Sequence, residues 1–239
     1  VPGGQRVVGF GNGIYTADPG EDLASATLFL FNTWALAVDP DDPSRWIAGG
    51  VSGIIDNSQI YVVSGSGSSF VQTYNNFGGV VQDIEYDPFD SDRLLASVFP
   101  GAFGNEAIVG SANDGASWVD IPGTAGWATR DIAFDPHTPG RVLQISDNNQ
   151  WAESVNSGTT WSALQPAWPG TFSATFLQFD LFEPGILYRG DAGMGFWRSD
   201  DDGASWTNLG VGLDIASALL QHPQFPGLLW VGNASGKLL

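Results

Sequence analysis

Ser199-Asp200-Asp201-Asp202-Gly203-Ala204-Ser205-Trp206 repeats the frame of Ser111-Ala112-Asn113-Asp114-Gly115-Ala116-Ser117-Trp118 position for position. Ser154-Val155-Asn156-Ser157-Gly158-Thr159-Thr160-Trp161 follows the same pattern of Ser, Asx, Gly and a closing Trp. Thr16 to Leu23 is a looser copy that keeps Asp18 and Gly20, and Ser64 to Phe70 is a degenerate one, short by a residue. Self-similarity at a fixed period is the signature of repeat architectures and has to be read before any local propensity.

A second marker recurs between these octamers. Ala37-Val38-Asp39-Pro40, Glu85-Tyr86-Asp87-Pro88, Ala133-Phe134-Asp135-Pro136, Gln178-Phe179-Asp180-Leu181 and Leu220-Gln221-His222-Pro223 align without a gap. Each runs through a short turn into an apolar stretch: Trp46-Ile47-Ala48, Leu94-Leu95-Ala96, Val142-Leu143-Gln144, Leu187-Tyr188 and Leu229-Trp230-Val231. Successive Asp or His markers stand 48, 48, 45 and 42 residues apart. Two unrelated markers on one period make chance repetition an untenable explanation.

Each repeat parses as four strands: one ending at the Asp-Pro, one after the turn, one entering the octamer and one leaving it. In the octamer, Gly115, Gly158 and Gly203 supply the positive φ that a tight hairpin needs. The short side chains of Asn113, Asn156 and Asp201 can accept backbone N–H bonds and close the turn. Trp118, Trp161 and Trp206 are expected to pack beneath it, burying apolar area worth roughly 2–3 kcal/mol each. The role read for these residues is structural. Asp39, Asp87 and Asp135 are expected to close Asx-turns in the same way.

The octamer resembles the Asp box, or BNR repeat, with its Ser/Thr-x-Asp-x-Gly-x-x-Trp pattern. Sialidases, sortilin-type receptors, xyloglucan-cleaving glycoside hydrolases and a photosystem II assembly factor carry it. Asn113 and Asn156 replace the family's Asp, while Asp18 and Asp201 keep it. The resemblance implies an all-β fold: a single β-propeller of four-stranded antiparallel blades, five or six in number, with the boxes on its outer rim. Residues 1–239 are expected to form one domain. Its repeats lie at about 32–79, 80–127, 128–172 and 173–215, with 216–239 and 1–31 as terminal or closing blade material. The closing stretch from Val231 lines up with that from Val8, so the chain overlaps itself by more than simple ring closure needs. Surplus terminal strands, incomplete end blades and a longer array are the three resolutions, and an open end strand could pair with another subunit.

Propeller ligands usually meet the first strands of the blades at the channel mouth. Counting back five residues from each turn marker gives Trp34, Gln82, Arg130, Thr175 and Ser217, and one further on gives Ala35, Asp83, Asp131, Phe176 and Ala218. The candidate ligand set is therefore Trp34, Gln82, Asp83, Arg130 and Asp131, with Trp127 and Trp168 on nearby loops. Aromatic faces with a few hydrogen-bonding groups suit a sugar. The competing reading is that Asp83 and Asp131 cap strand ends and Arg130 pairs with one of them.

The function classes narrow by composition. Eight Lys and Arg stand against 26 Asp and Glu, for a formal charge of −18. Such a surface repels phosphate backbones and anionic lipid, so neither nucleic acid nor membrane insertion is expected. With no Cys there is no disulfide and no thiolate-held metal. The acidic clusters Asp39/Asp41/Asp42 and Asp200/Asp201/Asp202 are the places a Ca²⁺ would be sought, but neither has calcium-loop spacing, and no cofactor is expected. Asn233-Ala234-Ser235 matches a glycosylation sequon. The chain starts at Val1 rather than Met, as a processed or excised segment would, and an extracellular location is expected.

Among families carrying the box, sialidases need an arginine triad. Of seven arginines, Arg45, Arg93 and Arg141 fall at equivalent turns, and no triad or Arg-Ile-Pro motif is present. The xyloglucan-cleaving enzymes use a cleft between two propellers, and this chain has room for one. The expectation is a non-catalytic extracellular scaffold, adhesion or assembly module, self-associating through terminal strands. The alternative is carbohydrate binding, or glycoside hydrolysis, at the channel mouth.

Overall fold

The computed structural model describes residues 6–10, 13–17, 24–26, 31–52, 57–65, 69–100, 107–168, 173–193, 195–209 and 215–233. Asp18, Gly20 and the end of the sequon lie outside them. The chain divides into two compact units, Val1–Trp127 and Ala128–Leu239. The described residues hold strands and turns and no helix, and hence no helix able to cross a membrane.

The first unit contains three sheets. One is three-stranded: β1 (Arg6–Phe10), β2 (Gly13–Ala17) and β3 (Ala24–Ala26). The second is a four-stranded meander of β4 (Phe31–Val38), β5 (Trp46–Ser52), β6 (Asn57–Ser64) and β7 (Ser69–Phe77). The third repeats it with β8 (Gly79–Asp87), β9 (Asp90–Pro100), β10 (Ile108–Ser111) and β11 (Val119–Asp120). Ala35, Ala37, Ile47 and Ile60 of the second sheet pack face to face on Val81, Ile84, Leu94, Ala96, Val98 and Val109 of the third. Side chains alternate across a strand, so Trp46 and Ala48 turn to the opposite face, with Val63. Both faces of the second strands are thus buried, which is why those runs read as continuously apolar.

The second unit contains β12 (Thr129–Phe134), β13 (Val142–Ser146) and β14 (Trp151–Ser154) in one sheet. β15 (Ala174–Phe179), β16 (Leu187–Asp191), β17 (Gly195–Ser199) and β18 (Thr207–Asn208) form the next, and β19 (Ala216–Gln221) with β20 (Leu229–Asn233) the last. All pairings are antiparallel between sequence neighbours. Among the described residues the β12 sheet has no regular fourth strand. Pro166 has no N–H to donate to a ladder, and the run after Trp161 is tied down by Ser162 N–H to Glu153 O (2.8 Å), Glu153 N–H to Ser162 Oγ (3.0 Å), Gln165 N–H to Trp151 O (2.7 Å) and Trp168 N–H to Asn149 O (3.0 Å). Trp168 ends that run in the core, stacked on Trp151 with ring centroids 5.1 Å apart. It is a packing residue, not the exposed loop aromatic expected from its neighbours in sequence.

The turn after each first strand is closed by its marker side chain. Asp39 Oδ1 accepts from Asp41 and Asp42 N–H, and Asp180 Oδ1 from Phe182 and Glu183 N–H; Asp87 and Asp135 accept from Phe89 and His137 N–H. In the last repeat, the ring Nδ1 of His222 accepts from Gln224 and Phe225 N–H at 3.0 and 3.1 Å. A histidine replaces aspartate because an unprotonated ring nitrogen reaches the same two donors.

The octamers turn the chain after the third strands, joining third to fourth strand at Ser111–Trp118 and Ser199–Trp206, with more constraint than one glycine. Asp114 and Gly115, Ser157 and Gly158, and Asp202 and Gly203 are consecutive residues at positive φ. With Ala116, Thr159 and Ala204 N–H bonded to the carbonyls of Asn113, Asn156 and Asp201, these are type I′ turns. Ser111, Ser154 and Ser199 Oγ each accept the glycine N–H at 2.8–2.9 Å. Asn113, Asn156 and Asp201 Oδ1 accept the N–H four residues on at 2.7–3.0 Å. What lies beneath Gly115 is not Trp118 but Ile47, 2.8 Å from where a Cβ would stand; beneath Gly203 it is Trp168, at 2.9 Å. The closing tryptophans diverge: Trp118 Nε1 donates to Thr73 Oγ1, Trp161 Nε1 to Gly158 O, and Trp206 packs 4.9 Å from Trp168.

Asp201 is the one described octamer acid where its counterparts are amides. Hydrogen bonds from the Ser205 hydroxyl (2.6 Å) and N–H (2.7 Å), then from Ser199, hold its carboxyl below the ordinary carboxylate range. A lowered folded pKa stabilises above the unfolded value, and that contribution is lost as pH falls through the folded one. The protection of Ser205 N–H against exchange, measured relative to its intrinsic rate, should therefore fall on acidification through that window, while the protection of Ser117 and Thr160, bonded to amides, should not respond. Asp201→Asn should remove the dependence, as NMR-detected exchange would report.

Candidate functional site

The five candidate positions counted back from the turn markers share one backbone feature. Each first strand slips register there: between Thr33 and Ala35, Val81 and Asp83, Thr129 and Asp131, Ala174 and Phe176, and Ala216 and Ala218. Trp34, Gln82, Arg130, Thr175 and Ser217 are thus the extra residues of five β-bulges. A bulge leaves one residue outside the ladder and re-aims its side chain, which is why bulges gather next to functional sites. The residue after each bulge rejoins the register opposite Gly49, Ser97, Ile145, Gly190 and Gly232. Three of these five are glycine, and two of the three sit in tight surroundings: a Cβ at Gly49 would stand 2.5 Å from Val81 Cγ1 of the next sheet, and one at Gly190 would meet the hydroxyl of the bulged Thr175.

The bulged side chains differ in how tightly the fold holds them. Trp34 is 59% exposed. Arg130 donates from Nε to Asp147 Oδ1 at 2.8 Å, both groups being about one-third exposed. Thr175 donates its hydroxyl to the carbonyl of Ala216, on the first strand of the next sheet. Asp131 Oδ2 likewise reaches the next first strand and accepts Leu177 N–H at 2.5 Å. Gln82, Asp83 and Trp127 are half-buried, and Trp127 N–H donates to Thr124 O. In the first unit the bulges therefore carry an exposed aromatic at Trp34 and an amide at Gln82, followed by a carboxylate at Asp83. In the second, the bulge carboxylate is engaged in joining two sheets.

Two further arrangements fall outside the candidate set. Arg45 and Arg141 each join a turn of one sheet to the octamer of the next. Arg45 bonds Asp39 Oδ2 (3.1 Å), Asp114 Oδ1 (2.5 Å) and the Asp114 carbonyl. Arg141 bonds Asp135 Oδ2 (3.1 Å), Glu153 Oε1 (2.7 Å) and both oxygens of Asp202 (2.8 and 2.9 Å). Burial pulls both guanidiniums down, but the carboxylate hydrogen bonds outweigh it and hold them above their ordinary range. Tyr86, donating to Asp114 Oδ1 at 2.8 Å, is held far above the usual phenol range by burial and by that carboxylate. The second arrangement is the fully buried pair Arg189–Asp191 (3.9 Å), with the guanidinium over Trp197 and Trp206. Burial lowers Arg189 to about 10, against the pull of Asp191. Both arrangements lock packing. Among the described residues, no group of three His, Cys, Asp or Glu could hold a metal ion.

No protein-family model and no curated protein matches the chain. Solved structures do. A chain of a nidogen/laminin complex matches at 16% identity and TM-score 0.72, covering 97% of this chain and 86% of that one. A GH74 enzyme from Niastella koreensis matches at 18% identity and TM-score 0.67, covering 100% and 42%. YCF48 bound to a D1 peptide matches at 15% identity and TM-score 0.60, covering 99% and 74%. The chain spans less than half the length of the GH74 enzyme. Together with the antiparallel meanders above, these likenesses define the class: an all-β protein with a β-propeller fold. Its propeller neighbours include enzymes and proteins described in complexes, so fold does not choose between the two roles.

Proposed function

We propose that this chain is a non-catalytic extracellular propeller module, a scaffold whose turns are Asp boxes and whose first-strand bulges, two in one unit and three in the other, present side chains within each unit for recognising a polypeptide. The observation that carries the reading is one backbone device repeated five times with five different side chains. Variable chemistry on a constant rigid frame is how recognition surfaces are built. Asp131, one of the two candidate carboxylates beside the bulges, is bonded to a backbone N–H, which suits a structural role. Nidogen with laminin and YCF48 with a D1 peptide, both similar in fold, are precedents for a polypeptide partner. Self-association belongs to the same proposal; of the terminal stretch first expected to mediate it, residues 234–239 lie outside those described.

One observation favours a second reading. The bulged Trp34 offers an exposed indole, and a sugar's C–H face stacks on such a ring. Calorimetric titration with xyloglucan oligosaccharides, beside a reducing-end assay, separates the readings. The scaffold proposal expects neither heat nor new reducing ends. Binding lost in Trp34→Ala and Asp131→Asn would establish the carbohydrate reading instead, and turnover lost in Asp131→Asn would establish a hydrolase.

A further inference from the structure

Fourth strands are short in two sheets, with Val119–Asp120 and Thr207–Asn208 spanning two residues each. β7 is different: nine residues, Ser69-Phe70-Val71-Gln72-Thr73-Tyr74-Asn75-Asn76-Phe77, paired as a strand among the described residues with β6 alone, while the Thr73 and Tyr74 hydroxyls bond Trp118 and Asp120 of the neighbouring sheet. Natural sheets blunt such an edge with Lys, Pro, inward charges, bulges or brevity. β7 carries one bulge, at Thr73, and none of the others. In a chain of net charge −18, no Asp, Glu, Lys, Arg or His occurs between Asp56 and Asp83.

We propose that β7 is the self-association edge of this protein, pairing antiparallel with β7 of a second copy to continue the sheet across a two-fold axis. The inference rests on the scaffold reading and moves its contact from the chain ends to an internal edge. Charge selects the occupant. A second copy that brought most of its surface close would set carboxylate against carboxylate, whereas β7 brings none. An antiparallel strand pair is self-complementary, which closes the assembly at a dimer. Val71, a β-branched residue 56% exposed, lies near the centre of the Ser69–Gln72 segment, where a two-fold pair of that segment places its closest cross-strand contacts. Thr73 is skipped in the register with β6, so the strand carries its own bulge, and Trp118 Nε1 holds Thr73 Oγ1 from the neighbouring sheet. Phe77 N–H is taken by Asn76 Oδ1. These features occupy the C-terminal half of the strand and leave Ser69–Gln72 as the segment that pairs.

The test is analytical ultracentrifugation of the whole chain, of Val71→Lys, of Val71→Thr and of the chain ending at Asn233, each checked for folding by circular dichroism. The wild type, Val71→Thr and the shortened chain should sediment as dimers, and Val71→Lys, with like charges facing across the axis, as a monomer. Hydrogen exchange should show amides of residues 69–72 gaining protection with concentration. A wild-type dimer that persists in Val71→Lys, or is lost only on shortening, overturns the β7 assignment and leaves a self-associating scaffold standing. A wild type monomeric at all concentrations overturns both self-association claims, while partner binding at the bulges remains separately testable. Capture of an extended peptide at β7 by a monomeric wild type would also overturn the pairing of copies.

Discussion

Gly190→Ala should destabilise the protein by roughly 3 kcal/mol or more, near the upper end of overpacking costs, or prevent folding. Gly190 lies in β16 opposite Phe176, where the first strand rejoins its register after the Thr175 bulge. A Cβ there would run into the Phe176 ring and the Thr175 hydroxyl, and would stand 2.5 Å from the carbonyl oxygen of Ala216. A side chain can change rotamer, but that carbonyl belongs to the first strand of the next sheet and is itself held by Thr175. Relief therefore requires moving β19 or opening the bulge. Gly232 is the same position one repeat later and supplies the control. Its Cβ would meet only Ala218 Cβ, at an ordinary 3.8 Å. Gly232→Ala should stay within about 0.5 kcal/mol of wild type, as surface-type changes do. Urea titration of both variants decides the matter, and equal midpoints would mean that the bulges do not depend on room made by the facing residue.

The repeat was legible because it rests on residues with narrow backbone or hydrogen-bonding duties. Gly115, Gly158 and Gly203 mark turns that only positive φ permits, and Asp39, Asp87, Asp135 and Asp180 mark turns closed by a side-chain acceptor, a duty His222 takes in the last repeat. Those duties place the same letters at the same intervals, so the four-strand parse and the hairpin position follow directly. The second positive-φ residue of each turn was not legible, since Asp114, Ser157 and Asp202 share no side-chain type that announces it. The destination of Trp168 was hidden for a related reason. A Trp between two prolines reads as a loop residue, and its burial depends on the absence of a fourth strand beside β14, which no local pattern encodes. At the candidate site, counting found the five positions but not their common geometry. A bulge shows only when two strands are laid side by side, although Gly49, Gly190 and Gly232 opposite it are a usable signal. Arg189 carried a signal too, falling at the repeat position held by Ala48, Ala96 and Val231.

Arg141→Ala is expected to be the other severe change, at about 3 kcal/mol, the scale for breaking one side of a buried ion pair. The arginine side chain is 16% exposed and its carboxylate partners differ widely, Asp135 at 4%, Glu153 at 35% and Asp202 at 49%. Solvent screens the last two, so each arm is worth about 1 kcal/mol or less in spite of the two-oxygen grip on Asp202. The cost concentrates at Asp135, whose Oδ1 keeps His137 N–H while Oδ2 would lose its charged partner in a dry setting. The guanidinium also lies over the Phe179 ring, 5.2 Å from its centroid, so truncation removes packing between two sheets as well as charge. Arg141→Lys should recover only part of the loss, because a point ammonium cannot serve three carboxylates in one plane. Double-mutant cycles locate the energy: coupling of Arg141 to Asp135 should exceed its coupling to Asp202, although Asp202 makes more bonds. The reverse order would mean that the link between turn and octamer, rather than burial of the turn carboxylate, is what the arginine contributes, and Arg45 with Asp39 and Asp114 gives an independent repeat of the same comparison.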